Sequence, residues 1–128
     1  LSSGTGREEV DFCVKIKAGA NLQAVLTYGG LSWASMAGLL YSAKLFVGAD
    51  TAAMHLAAAC QVPIVALFGP TVETAWRPWK CPHALVTPRM SEITRSDGHM
   101  DMRLRKVDRI EVTDVLQACR QMLQGGPP

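Results

Sequence analysis

The stretch Leu45-Phe46-Val47-Gly48-Ala49-Asp50-Thr51-Ala52-Ala53-Met54-His55-Leu56 decides how this chain is read. An apolar run, Leu45-Phe46-Val47, stops at a glycine, and an Asp-Thr pair then opens an alanine-rich segment carrying one histidine. This order predicts a buried strand, a tight turn and a helix start, with Asp50 or Thr51 accepting hydrogen bonds from the unpaired N–H groups of the first turn. Such a terminus attracts anions, because free N–H groups and the positive end of the helix dipole converge there. Thr51 and His55 stand at positions i and i+4 and share one helical face. A phosphate-bearing ligand would meet backbone donors, a hydroxyl and an imidazole in one small volume. The same residues also make a plain α/β connection in which the histidine only packs, so the neighbouring segments have to separate the two readings.

Downstream, Val62-Pro63 turns the chain into Ile64–Phe68, a continuous apolar run like the strands of parallel sheets covered on both faces. Gly69-Pro70-Thr71 breaks that run. Gly69 lets a ligand approach the backbone, Pro70 sets the turn, and Thr71 can donate to an oxygen or cap a short helix; a simple strand-ending turn has the same composition. Ala84–Thr87 reads as a further short strand and Lys106–Arg109 as a linker. Val112–Leu123 reads as a closing helix with Val115, Leu116, Cys119, Met122 and Leu123 on its inner face.

Upstream, Ser32 is expected to cap a helix that buries Trp33, Met36, Ala37, Leu39 and Leu40. Tyr28-Gly29-Gly30 is a turn, and Leu22–Thr27 is expected to hold a short strand at Ala24-Val25-Leu26. Arg7–Lys17 reads as a helix with Val10, Cys13, Val14 and Ile16 inward, stopped by Ala18-Gly19-Ala20-Asn21. Leu1–Gly6 reads as a strand end and its turn, so the chain is expected to be the C-terminal piece of something longer, with Gly-Gly-Pro-Pro as a tail.

Strands alternating with helices predict a parallel α/β sheet with right-handed crossovers. In such sheets ligands bind beyond the carboxyl ends of the strands, where the Asp50-Thr51 and Gly69-Thr71 loops both fall. Glu8 and Glu9 follow the first glycine turn at the same edge. A carboxylate there can accept paired ribose hydroxyls, or it can simply sit in the first helical turn and favour the dipole.

At 128 residues the chain suffices for one domain with a real core, and its 48% apolar content excludes a disordered polar tail. A net charge of +2 provides no electrostatic ground for a nucleic-acid partner. The run of Arg89, Arg95, Arg103, Arg105, Lys106 and Arg109, interleaved with Glu92, Asp97, Asp101 and Asp108, reads as a solvated loop of mixed charge. Cys13, Cys60, Cys81 and Cys119 are scattered without a C-x-x-C pair, so reduced thiols, a cytosolic compartment and no metal site are expected. No signal-peptide pattern and no apolar run long enough to span a bilayer is present. The G-x-S-x-G elbow, the Walker A loop and the G-x-G-x-x-G fingerprint are all absent from the sequence. Trp76-Arg77-Pro78-Trp79 reads first as core or interdomain packing and second as a stacking platform for a sugar or base.

Taken together, Leu45–Ala59 and Val62–Thr71 resemble the lipopolysaccharide heptosyltransferases, the ADP-heptose glycosyltransferases of family 9. The family's pattern there is an apolar strand, (G/S)-x-D-(S/T)-(G/A)-x-x-H-(L/I)-A-A-A, then a strand closed by G-(P/A)-T. The Trp76–Trp79 segment and the charged loop before the closing helix look most like the heptosyltransferase III branch. The resemblance implies the C-terminal half of a GT-B fold, a three-layer Rossmann-like parallel sheet that holds the nucleotide sugar. It implies that Asp50 contacts sugar hydroxyls and that Thr51 and the N–H groups of Ala52 and Ala53 hold the diphosphate. His55 would stand by the phosphates, with Gly69, Pro70 and Thr71 completing the donor site. Glu8 would take the ribose, and the backbone around Leu31 would read the adenine. Ala52 stands where many members have glycine, which keeps the N–H but narrows the space above it.

The family's catalytic carboxylate and acceptor site belong to its N-terminal domain, and a phosphate-binding lysine and threonine loop precedes the matched region. The expected organisation is therefore one nucleotide-sugar-binding fragment over residues 1–128, its first strand incomplete, with no catalytic residue of its own and no transfer activity alone. ADP-heptose is the expected donor, with no cofactor or metal firmly implied. The lipopolysaccharide inner core is the expected acceptor, reached through the acceptor domain, and the location is cytoplasmic with peripheral contact at the inner membrane. Two other readings compete: a nucleotide-binding module without transfer chemistry, and a GT-B enzyme using another nucleotide sugar.

Overall fold

The computed structural model describes residues 1–20, 23–99 and 101–125, with the side chains of Met90, Glu92 and Arg103 left aside. Asn21 in the first helix stop, Leu22 in the first strand segment and the Gly126-Pro127-Pro128 tail lie outside the described residues. The chain forms two compact units, Leu1–Gly38 and Leu39–Pro128, each taken by itself.

In the first unit α1 spans Arg7–Gly19 and α2 begins at Trp33, running to Tyr41. The Ser32 hydroxyl accepts the Ser35 N–H at 3.1 Å, the N-cap that its position before an apolar segment predicts. The inward face expected of α1 does not form. None of its residues is buried, and Val14 and Ile16 are exposed; Val10, Cys13 and Lys17 make the only partly covered stripe, because so short a unit has little chain to lay over a helix. Trp33 and Leu39 are likewise exposed rather than buried, leaving Leu40 as the buried residue of α2.

Residues 24–26 do not form the predicted strand. Val25 O accepts the Leu1 amino group at 2.9 Å, and Leu1 O accepts the Thr27 N–H at 3.2 Å, a parallel pairing one residue long. A ladder needs more partner than that. The predicted turn at Tyr28-Gly29-Gly30 is present, closed by Gly30 N–H to Thr27 O at 2.9 Å, with both Tyr28 and Gly29 at positive φ. Gly29 is required twice over: φ is 67°, and a Cβ there would come 2.4 Å from the Gly4 carbonyl oxygen.

The second unit is built on a parallel sheet of β1 (Phe46–Ala49), β2 (Ile64–Leu67) and β3 (His83–Val86), in that spatial order. Phe46 pairs with Ile64 and Val65 with Ala84, so the two apolar runs singled out in the sequence lie side by side and parallel. Between them α3 (Ala52–Ala59) buries Met54 together with Ala57 and Ala58, and the methyl-sized alanines let the helix lie close on the sheet. It stops in a Schellman turn: Val62 N–H reaches Ala57 O, Gln61 N–H reaches Ala58 O, and Gln61 takes φ 58°.

Val65, Ala84 and Val86 pack with Ala118 and Met122 of α6 (Val112–Leu123) on one face of the sheet. Alternation sends Ile64 and Ala66 to the other face, and both are fully buried. Covering on both faces is what the unbroken apolar run of β2 demands. Within α6 the buried stripe is Val115, Ala118, Cys119 and Met122; Leu116 and Leu123, expected inside, are about half exposed because they flank that stripe. Gly48 lies under the Phe46 ring, from which a Cβ would stand 2.9 Å. The predicted linker at Lys106–Arg109 contains a 3₁₀ turn, Val107–Arg109. None of the four cysteines is in a disulfide, and burial pushes the thiols of Cys81 and Cys119 up.

Candidate functional site

β1 and β2 end at the same edge of the sheet, and their loops carry Asp50-Thr51 and Gly69-Pro70-Thr71. Thr51 occupies the N-cap position of α3 with extended backbone, φ −144° and ψ 166°, but no side chain caps the helix. Here the expectation of a capping Asp50 or Thr51 side chain is corrected. The first helical bonds run from Met54 and His55 N–H to the Thr51 carbonyl, at 3.0 and 3.3 Å. The N–H groups of Ala52 and Ala53 precede them and have no place in the helical ladder. Among the described residues, the Thr51 hydroxyl and two backbone donors therefore stand uncommitted at the dipole's positive end, where Thr51 and Ala52 are exposed.

Asp50 is mostly buried, and its Oδ1 lies 3.4 Å from His55 Nε2. The carboxylate reaches across the first turn of α3 to orient the imidazole, which remains 40% exposed. The His55 and Trp76 rings also meet edge-on, with centroids 6.3 Å apart and planes at 61°. This contact joins the two loops: His55 belongs to the helix after β1, Trp76 to α4 (Glu73–Trp76) after β2.

Gly69 is buried, and a Cβ there would meet Val107 Cγ2 at 3.0 Å and Val107 N at 3.2 Å. The 105–107 segment thus lies against the turn. Thr71 does not cap α4, whose N-cap position is Val72, again without a side-chain cap bond. Glu73, the first residue of α4, is held instead by Arg105. Nη1 and Nη2 donate to Oε2 and Oε1 at 2.8 and 2.7 Å, and the pairing holds the Glu73 carboxyl below its usual range, against the opposing effect of burial. Arg105 is 7% exposed, so it leaves the solvated loop that the charge run suggested; mixed charge hides a buried member when a carboxylate from elsewhere reaches it. Arg95 pairs with Asp101 within the run, and Arg89 pairs with Asp114 of α6, outside it.

Trp76 and Trp79 are 54% and 73% exposed, which removes the core-packing reading of the Trp-Arg-Pro-Trp segment; Pro78 is its buried residue. Trp76 is the site residue the sequence reading did not place. Its distance along the chain from Thr71, one short helix past the loop, was the available signal. Arg105 had none, because its partner is 32 positions away.

Glu8 and Leu31 belong to the first unit. Position alone left Glu8 and Glu9 equivalent, the resemblance implying Glu8; in the structure Gly4 N–H donates to Glu9 Oε2 at 2.7 Å, while Glu8 is exposed with its carboxylate unused among the described residues. The two turns that lead to Glu8 and Leu31 touch one another where Gly29 meets Gly4 and Thr5.

These features place a candidate anion-binding edge on a parallel α/β sheet, and comparison with known proteins supplies the family. Residues 1–96 match Glycosyltransferase family 9 (heptosyltransferase), and the chain belongs to that family. It is 34% identical over 80 residues to lipopolysaccharide heptosyltransferase 3 of Escherichia coli and 31% identical over 80 residues to that of Escherichia coli strain K12. Each alignment covers 62% of this chain and 24% or 23% of the relative, so the chain spans about a quarter of the curated relatives' length. The crystal structure of a glycosyl transferase family 9 protein from Veillonella parvula DSM 2008 superposes over 98% of this chain and 36% of its own, with a TM-score of 0.71 at 16% identity. The fold is that of a GT-B-type glycosyltransferase half, as the resemblance implies.

Proposed function

We propose that this chain is the donor-binding part of a heptosyltransferase, holding ADP-heptose while the heptose passes to the lipopolysaccharide inner core. The observation that carries the reading is the Asp50–His55–Trp76 cluster beside the uncommitted Thr51 hydroxyl and Ala52 and Ala53 N–H groups, at the C-terminal edge of two adjacent parallel strands. Donors converge there as a diphosphate requires. In this reading Thr51, Ala52 and Ala53 bind the phosphates, His55 adds a further donor, and Asp50 accepts from sugar hydroxyls. Gly69, Pro70 and Thr71 line the second loop.

Glu8 takes the ribose and the backbone at Leu31 the adenine, a division supported by the free carboxylate of Glu8 and the contact between the turns that precede the two residues. The acid–base carboxylate and the acceptor site belong to residues outside this chain. The protein works in the cytoplasm at the inner face of the inner membrane, where donor and acceptor meet.

Calorimetry with ADP, UDP and GDP tests the reading. Preference for ADP, lost in a Thr51→Val variant, supports it. Preference for UDP supports a GT-B enzyme of another donor class, and no nucleotide binding at all overturns it.

A further inference from the structure

We propose that Glu73 and Arg105 form a clamp that positions Trp76 against His55, making a buried ion pair remote from the ligand a positioning device for the imidazole. The inference rests on the donor-site reading for its consequence, but its geometry stands apart from it.

Three observations carry it. First, α4 has no ordinary reason to hold its place: it is four residues long, buries none of them and has no side-chain cap. A single turn of helix is unfavourable without tertiary support. Second, the support present is the fork-to-fork pair from Arg105, whose guanidinium is almost fully buried and donates to both carboxylate oxygens of Glu73. A buried guanidinium that loses its partner is costly, so the pair holds its geometry. The backbone of the same segment, Arg105 O and Val107 N, presses on Gly69, fixing both ends of the loop that leads into α4. Third, the last residue of α4 is Trp76, and its ring packs edge-on with that of His55, which also contacts Asp50. Asp50 and Trp76 are therefore two contacts of the imidazole, and only the Trp76 contact depends on a distant segment.

Histidine side-chain NMR on the 128-residue chain reads the geometry without any ligand. Trp76→Leu removes the indole ring current and moves the His55 ring-proton shifts. The clamp predicts that Arg105→Gln and Glu73→Gln move them the same way, that Arg105→Lys moves them less, and that the Arg105→Gln/Trp76→Leu double variant moves them no further than Trp76→Leu. ADP titration then reads the consequence: each single variant weakens binding by about threefold or more, and the double variant by less than the product, as for coupled sites. His55 shifts unchanged in folded Glu73→Gln and Arg105→Lys overturn the clamp even where Arg105→Gln fails to fold. Shifts that move as predicted in a wild-type chain blind to ADP uphold the clamp and overturn the donor-site reading.

Discussion

His55 shows how much a single side chain can be asked to do. It is oriented by Asp50, flanked by Trp76, and still open to solvent on a helix whose first N–H groups are free. His55→Ala should weaken ADP binding by about 1–3 kcal/mol, the range for losing a hydrogen bond to a charged group. The fold should survive, because alanine suits a helix and the site is partly exposed. Calorimetry with parallel thermal melts decides between roles: unchanged affinity with a lowered Tm would make His55 a packing residue. Glu8 and Glu9 carry the same lesson. Neighbours of one chemical type are divided by a single backbone N–H, that of Gly4, and only the folded turn shows which is used.

At the scale of elements, local rules held where the stabilising partner is local. Ser32 caps α2 through the Ser35 N–H, and Ser32→Ala should cost about 1 kcal/mol, read as a shift in urea midpoint at constant m-value. The start of α3 followed a different course. Thr51 sits where a cap belongs, yet its hydroxyl makes no cap bond, and a helix that leaves its own donors unsatisfied is departing from local preference at a candidate site. α4 is the extreme case, a turn of helix that its own sequence does not stabilise and that a remote arginine secures.

For the whole molecule, the Glu73–Arg105 pair makes stability depend on pH in a stated direction. The carboxyl of Glu73 is held below its ordinary value of 4.5 by the hydrogen bonds from Arg105. A lowered folded-state pKa adds stability that is fully present above the unfolded value and is lost as pH falls through the folded one. Wild type should therefore melt higher than Glu73→Gln at neutral pH, with the gap narrowing below about pH 4.5 and closing as Glu73 takes up its proton. A gap that stays constant down to pH 2.5 would show that the charge of Glu73 contributes nothing. In the reading proposed here, transfer is a property of a larger assembly than this. The matched region is about a quarter of the curated relatives, and holding two reactants and a base in place can supply roughly 7–11 kcal/mol of barrier lowering. The 128-residue chain should bind ADP-heptose weakly and transfer nothing to purified truncated lipopolysaccharide. Turnover in that assay, with no full-length enzyme present, would show the base to lie within this chain.

The parallel sheet and the helix after β1 were legible in the sequence, because they rest on patterns closed within a few residues: an unbroken apolar run and a glycine stop. The strand expected at residues 24–26 failed for the opposite reason, since a strand exists only by its partner and Leu1 pairs over one residue. The inner faces of α1 and α6 were read too wide because periodicity marks which residues could be covered, whereas burial depends on what chain lies opposite. Trp76 beside His55, and Arg105 buried on Glu73, were decided by tertiary structure alone. Both join segments far apart in the chain, and no local pattern encodes a contact whose two halves are brought together only when the sheet and its loops have formed.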